Sequence, residues 1–341
     1  MGGTGSMRRG AALVPVMLLV GACSGVQSPL APAGEQAADQ LWLFQLMLWV
    51  CGILYLLVVG FLGLALVRVF RNTSRLAEPE LAPADRTLDR SLLVWASIII
   101  AGLTLLAGAS FVVDRALAAA QAREALRVRV TAHQWWWRIA YRDPASGRWV
   151  ETANELHLPA GRTARIELAS ADVIHSFWVP NVAGKMDVIP GRANAIDVTP
   201  HRLGWFRGQC AEFCGVQHAK MAFDVKVDTP AEFAAWLATQ ARSAAAPADP
   251  VAARGFQIVT QGQCAMCHVV RGTAAAGRPG PDLTHIASRR SIAAGILSMN
   301  RGNLQGWIAQ PQALKPGTMM PAVTLEPGDA DAVAHYLEQL K

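Results

Sequence analysis

The stretch Cys210-Ala-Glu-Phe-Cys214-Gly-Val-Gln-His218-Ala-Lys-Met221 decides how the rest of this chain is read. Two thiols, an imidazole and a thioether fall within twelve residues. Soft sulfur combined with imidazole suits copper, and a Cys-His-Met loop is what a single-copper electron-transfer site uses. Such a site needs one cysteine only. The second, four residues on, allows two thiolates to bridge two copper ions. A further histidine must come from elsewhere, and Asp172-Val-Ile-His175-Ser-Phe-Trp-Val-Pro180 offers one in a strand-like, aromatic setting. Zinc or a disulfide would also employ paired cysteines, but zinc leaves Met221 without a role.

Around this loop the sequence alternates with a period of two: Leu126-Arg-Val-Arg-Val, Arg165-Ile-Glu-Leu, Asn194-Ala-Ile-Asp-Val and Met221-Ala-Phe-Asp-Val-Lys-Val. Pro159-Ala-Gly161 and Pro190-Gly191 supply turns. Short strands punctuated in this way predict an antiparallel sandwich or barrel over 126–241. Trp135-Trp136-Trp137 follows His133-Gln134 on the expected first strand, and three adjacent tryptophans read by themselves as core or interface anchors. A helix over about 230–242 closes the segment, and 242–250, rich in Ala and Pro, reads as a semi-rigid spacer.

From 251 to 341 the pattern is helical. It contains Cys264-Ala-Met-Cys267-His268, the attachment signature of c-type haem. Gly280-Pro-Asp-Leu283 and Lys315-Pro-Gly-Thr-Met-Met320-Pro321 follow, then a last helix with Tyr336. His285 and His335 read as packing or surface histidines.

Upstream, the chain is apolar. Leu41–Phe70 carries one Gln and one Arg in thirty residues, and Leu92–Val113 runs 22 residues without a charge. Each is long enough to cross a bilayer. The loop over 71–91 holds Arg71, Arg75, Arg86 and Arg90, so it is expected on the cytoplasmic side, with everything after about residue 115 outside. Residues 1–23 read as an export signal: Arg8-Arg9, an apolar run, then Val-Gly-Ala-Cys23. Cys23 is the candidate for lipidation; an ordinary signal peptide with an incidental cysteine is the alternative. Of the 341 residues 52% are hydrophobic and only 16% charged, which excludes a disordered chain. The net charge of +6 is dispersed without a Lys/Arg run, so nucleic acid is not expected as a partner.

The loop spacing Cys-x-Glu-x-Cys-x3-His-x2-Met, together with the membrane hairpin, resembles subunit II of cytochrome c oxidase, and the segment from 251 onward resembles class I cytochrome c. The combination is similar to subunit II of caa-type haem–copper oxidases. This resemblance implies a multidomain membrane protein: a two-helix hairpin (spans about 41–69 and 92–113), an all-β Greek-key cupredoxin domain (126–241) and an all-α cytochrome c domain. It implies a binuclear CuA centre with bridging Cys210 and Cys214, terminal His175 and His218, axial Met221 and the backbone carbonyl of Glu212. Magnesium would lie at the subunit interface on the Glu212 side chain. Trp135 would be the point of electron entry. Haem c would be covalently held by Cys264 and Cys267 and ligated by His268 and Met320, with Met319 the alternative.

On the same resemblance, electrons would run from a cytochrome c or a bc complex to haem, to CuA and on to subunit I, where oxygen is reduced and protons are pumped. Subunit III and membrane lipid would be further partners, in a bacterial inner membrane with both cofactor domains on the periplasmic side. The family often carries a glutamate three residues before the tryptophan of the second span, and a proline four after it. Here these are Leu92 and Ile99 around Trp95, which puts proton entry through this subunit in doubt, with Asp89 a weak substitute. A nitric oxide reductase subunit, or a free-standing membrane-anchored carrier, would use the same relay.

Overall fold

A computed structural model describes residues 24–71, 86–119, 125–144, 146–326 and 328–341. The N-terminal signal and Cys23 lie outside the described residues. The chain divides into two compact units, one made of residues 38–120 and the other of the remainder.

The first unit holds two helices, α1 (Glu35–Arg71), whose first three residues are counted with the second unit, and α2 (Arg86–Ala119). Both are long and apolar enough to cross a membrane. They extend past the expected spans at both ends, because the flanks 35–40, 70–71, 86–91 and 114–119 carry no Gly or Pro to stop them, and Arg86–Ser91 is helix rather than loop. Residues 72–85 of the loop lie outside the described residues.

The second unit begins with a sandwich of two five-stranded sheets. Strands β1 (Leu126–His133), β2 (Trp136–Arg142), β3 (Trp149–Ala153), β5 (Ala164–Ser170) and β8 (Asn194–Val198) are ordered β3-β2-β1-β5-β8. Strands β4 (Glu155–Pro159), β6 (His175–Trp178), β7 (Met186–Val188), β9 (Gly204–Cys210) and β10 (Ala222–Asp228) are ordered β4-β10-β9-β6-β7. The sheets are mixed rather than purely antiparallel: β1 runs parallel to β5, and β4 parallel to β10. Alternation puts Leu126, Val128, Val130 and Ala132 of β1 inside, facing Ile166 and Leu168 of β5. Trp137 fills the centre, its ring edge-on to Phe177 and Phe223 at 5.9 and 5.4 Å.

The three tryptophans do not continue the first strand. The chain turns at Gln134–Trp135, so Trp135 sits in the turn while Trp136 and Trp137 open β2. Aromatic residues keep the strand-like character of the sequence across this turn, and no Gly or Pro marks it.

Residues 24–34 strap the sandwich edge. The hub is Asn181, fully buried, whose Nδ2 donates to the carbonyls of Gly25 and Ala31 at 2.9 and 2.8 Å.

Helix α3 (Pro230–Gln240) starts with Thr229 and Glu232 in a reciprocal capping box and proline at the first position. Residues 242–250 are not a free spacer. Ala244 N–H donates to Arg271 O, and Ala248 N–H to Gln339 Oε1. The last part holds α4 (Pro250–Gln261), α5 (Arg301–Ala309), α6 (Pro311–Leu314) and α7 (Asp329–Leu337). Helices α4 and α7 cross at Gly255, where a Cβ would lie 2.0 Å from Ala332 O, so only glycine allows this approach. Tyr336 then packs edge-on against Phe256, 5.6 Å between centroids.

Candidate metal centre and haem-attachment segment

The metal-ligating side chains gather because β9 lies between β10 and β6. Cys210 ends β9 and pairs with Phe177 of β6, which brings His175, two residues earlier on β6, beside it. The loop from β9 to β10 carries Cys214, His218 and Met221 back over the same spot. The two sulfurs stand 3.8 Å apart, well beyond a disulfide bond. His175 Nδ1 lies 3.8 Å from Cys210 Sγ, and His218 Nδ1 lies 3.7 Å from Cys214 Sγ. Met221 Sδ is 3.8 Å from Cys214 Sγ, and the Cys210 thiol points at Glu212 O, 3.2 Å away. His175 and Met221 are fully buried, and both cysteines nearly so.

This geometry tests the donor set. Ligand atoms of His175, Cys210 and Cys214 all fall within 4.8 Å of one another. Two soft thiols flanked by one imidazole each, with a thioether and a carbonyl at the margins, are a donor set that suits copper. Asp172 accepts from His175 Nε2–H at 2.7 Å, which leaves Nδ1 free for a metal. The hydrogen bond with Cys214 is the main cause holding the Cys210 thiol down to about 3. Its charge, with burial, pushes Cys214 strongly up. Two thiolates so close repel, and cations between them remove that conflict.

The haem-attachment segment follows α4. Cys264 and Cys267 lie on and just after a 3₁₀ turn (Gln263–Met266), and His268 N–H closes onto Cys264 O at 2.9 Å. His268 Nδ1–H donates to Pro281 O at 2.8 Å, so Nε2 is the atom left to bind iron. Gly280 lies against the same imidazole: a Cβ there would be 2.7 Å from His268 Cε1. A cavity of about 380 Å³ opens beside Cys264, bounded by Ile258 on one side and Val323–Leu325 on the other. The paired thiols of Cys264 and Cys267 beside an imidazole with one free nitrogen are the donor set that a covalent haem would need. Met320 is half-buried, whereas Met319 points outward, 79% exposed. His285 bonds Lys341 O and Arg242 O, and His335 bonds Asp249 and Glu338; both are packing histidines.

Residues 142–227 match the family described as cytochrome c oxidase subunit II, periplasmic domain, and residues 252–341 match cytochrome c. The chain thus joins a segment similar to the periplasmic domain of cytochrome c oxidase subunit II to one similar to cytochrome c. Subunit 2 of the cytochrome c oxidase of Alkalihalophilus pseudofirmus is 36% identical over 63% of this chain and 61% of its own length. The Bacillus subtilis subunit is 31% identical over 65% of this chain and 64% of its own. The chain thus spans about three fifths of the curated subunits it matches. The periplasmic domain of subunit II from Bradyrhizobium japonicum is 34% identical over 34% of this chain and 92% of that structure, with a TM-score of 0.32. The match to the subunit II periplasmic domain implies a CuA copper centre, and the match to cytochrome c implies haem c. A membrane-anchored chain with its sandwich outside the membrane agrees with both.

Trp135 is only 8% exposed, and its Nε1–H donates to Cys214 O at 2.9 Å. Gln134 Nε2–H reaches the same carbonyl at 2.8 Å. Glu212 is half-buried in the copper loop. Two residues escaped sequence reasoning. Asp172 could have been found from its spacing three before His175; Lys315, which bonds only to backbone carbonyls, left no signal.

Proposed function

We propose that this chain is the electron-entry subunit of a respiratory haem–copper terminal oxidase. Cys210, Cys214, His175, His218, Met221 and Glu212 O would hold two copper ions. Cys264 and Cys267 would hold one covalent haem, with His268 and Met320 on its iron. When bound, these groups supply reversible one-electron chemistry. The chain's own residues fix the rest. Asp172 and Pro281 each set one imidazole tautomer, the sandwich holds the copper ligands on paired strands, and burial keeps water from the thiolates.

Electrons would enter at the cytochrome c domain from a cytochrome c or bc complex and leave the cupredoxin for subunit I, where oxygen is reduced and protons are translocated. Trp135, hydrogen-bonded to Cys214, is the entry contact of the cupredoxin. Magnesium on the Glu212 side chain, a neighbouring subunit III, lipidation at Cys23 and a bacterial inner membrane complete the assembly. Tethering donor and acceptor on one chain makes their encounter intramolecular.

The observation that carries this reading is the pair of sulfurs 3.8 Å apart, each facing one histidine Nδ1. Metal analysis of the complex purified from membranes is its test. Two coppers and one iron per subunit II, beyond those of subunit I, are expected; one copper, or no covalent haem on this polypeptide, would overturn it.

A further inference from the structure

Lys315 is 2% exposed, an unusual place for an ammonium group. Its Nζ donates to three backbone carbonyls on three segments: Trp135 O at 2.7 Å, Lys220 O at 2.8 Å and Ala293 O at 3.3 Å. The first belongs to the turn before β2, the second to the copper loop, the third to the haem domain. Neighbours on the same loop repeat the pattern. Gln217 Nε2–H donates to Pro316 O, and Lys220 Nζ to Leu314 O at 3.2 Å. Gly317, at φ +82°, lies so close that a Cβ would sit 3.2 Å from Val216 Cγ2 and 3.8 Å from Trp135 Cη2.

The partner loop is shaped for this contact. Ala293, Ala294 and Gly295 are all left-handed, at φ +55°, +62° and +79°. Two alanines in that region cost energy that the surroundings must offset. Their three carbonyls are all used: Ala293 O by Lys315, Ala294 O by Ala222 N–H at 3.2 Å and Gly295 O by Arg207 Nη1–H at 3.1 Å. The same 314–320 loop carries Met319 and Met320 a few residues on. Three carbonyls on three separate segments converging on one buried amine make a directional pin, although burial lowers the Lys315 pKa to about 7.

We propose that Lys315 is a positioning residue that pins the methionine-bearing loop of the cytochrome c domain onto the backbone of Trp135, closing that tryptophan to soluble donors. The copper site then takes electrons only from the tethered haem, and an outside donor docks on the haem domain. This rests on the function proposed above for the direction of transfer, but the pin itself is a matter of contact and is testable without either cofactor.

The test uses the intact membrane complex and three measurements. In the wild type, acetic anhydride should modify exposed Lys185 and spare Lys315; rapid acetylation of Lys315 in folded protein would overturn the pin. In Lys315→Met, hydroxyl-radical oxidation of Trp135 should rise about tenfold, the scale on which losing such bonds shifts a docked population, while Trp137 in the core stays protected. Arg278→Ala serves as control: Arg278 pairs with Glu151 across the same interface, away from Trp135, and its loss should leave Trp135 labelling unchanged. Unchanged Trp135 labelling in Lys315→Met, or an equal rise in Arg278→Ala, would reject the assignment. If Lys315→Met does not accumulate, Lys315→Gln provides the same comparison. Finally, electron transfer from photoreduced haem to copper should slow about tenfold in Lys315→Met with both absorption spectra unaltered, a split that general destabilisation does not produce. Absence of the metals would defeat the proposed function and still leave the labelling result to judge the pin.

Discussion

The carboxylate of Asp172 stands 2.7 Å from Nε2 of His175, on the side of the ring opposite the Cys210 sulfur. The same carboxylate also accepts from Gln134 N–H at 2.6 Å, so the loop that orients the histidine is tied to the turn that carries Trp135. A ligand fixed in this way loses little freedom when a metal binds. Asp172→Ala should therefore leave the fold intact and weaken copper binding by roughly 10–100-fold, the usual cost of losing such a partner. Competition against a copper chelator measures it; an unchanged affinity would show that His175 is oriented by packing alone.

Cys210→Ser removes one bridge of the pair. The mixed-valence copper signal should vanish while the haem absorption stays, since the thiol touches Glu212 O, Cys214 and His175 and nothing of the haem segment. Electron paramagnetic resonance and visible spectra on one sample decide it. Loss of both signals in folded protein would contradict independent sites.

Met320→Ala should lower the haem potential, because a thioether ligand raises it. Axial ligands tune such potentials over about 0.8 V, so the change should be easily resolved by redox titration. Met319→Ala, at an outward-facing side chain, should leave the potential where it was. The reverse result would transfer the ligand role to Met319.

His157 is buried between Asp228 (2.6 Å) and Glu155 (3.1 Å), stacked on Trp236 at 4.0 Å. Burial opposes its charge, but the hydrogen bonds to Asp228 and then Glu155 prevail and raise its pKa above the ordinary 6.5. A raised value means that the pair stabilises the fold fully below pH 6.5, and that this contribution fades as pH climbs through the folded value. His157→Leu should cost about 3–5 kcal/mol at neutral pH by stranding two carboxylates, and should flatten that decline. Chemical denaturation across pH 5.5 to about 9 checks both; a variant with the slope of the parent would assign the decline to other groups.

Legibility in the sequence followed chain locality. Cys210, Cys214, His218 and Met221 sit on one loop, and Cys264, Cys267 and His268 on one turn, so spacing alone exposed them. His175 was found from its strand-like setting, and the two membrane helices from length and composition. What stayed hidden depends on contacts between distant segments. Lys315 binds carbonyls, which every residue possesses, and Glu155 finds its partners at His157 and at Arg290 N–H, 135 positions away. The mixed sheets were also out of reach, because alternation reports which face is buried and not the direction of the neighbouring strand. The tryptophan run crossed a turn that no Gly or Pro announced.

The seam along β10 has a consequence for how such chains are built over evolutionary time. Glu155 depends on Arg290 N–H, Asp224 on the Ser291 hydroxyl, and Ala222 N–H on Ala294 O, each reaching across to the haem-bearing part. Deleting that part would remove these three partners and hand one oxygen of Glu155, Asp224 and the Ala222 amide to water. The haem segment is therefore fitted to the sandwich and not merely strung behind it. A lineage that acquired such a segment would have had to match its donors and acceptors to Glu155, Asp224 and Ala222.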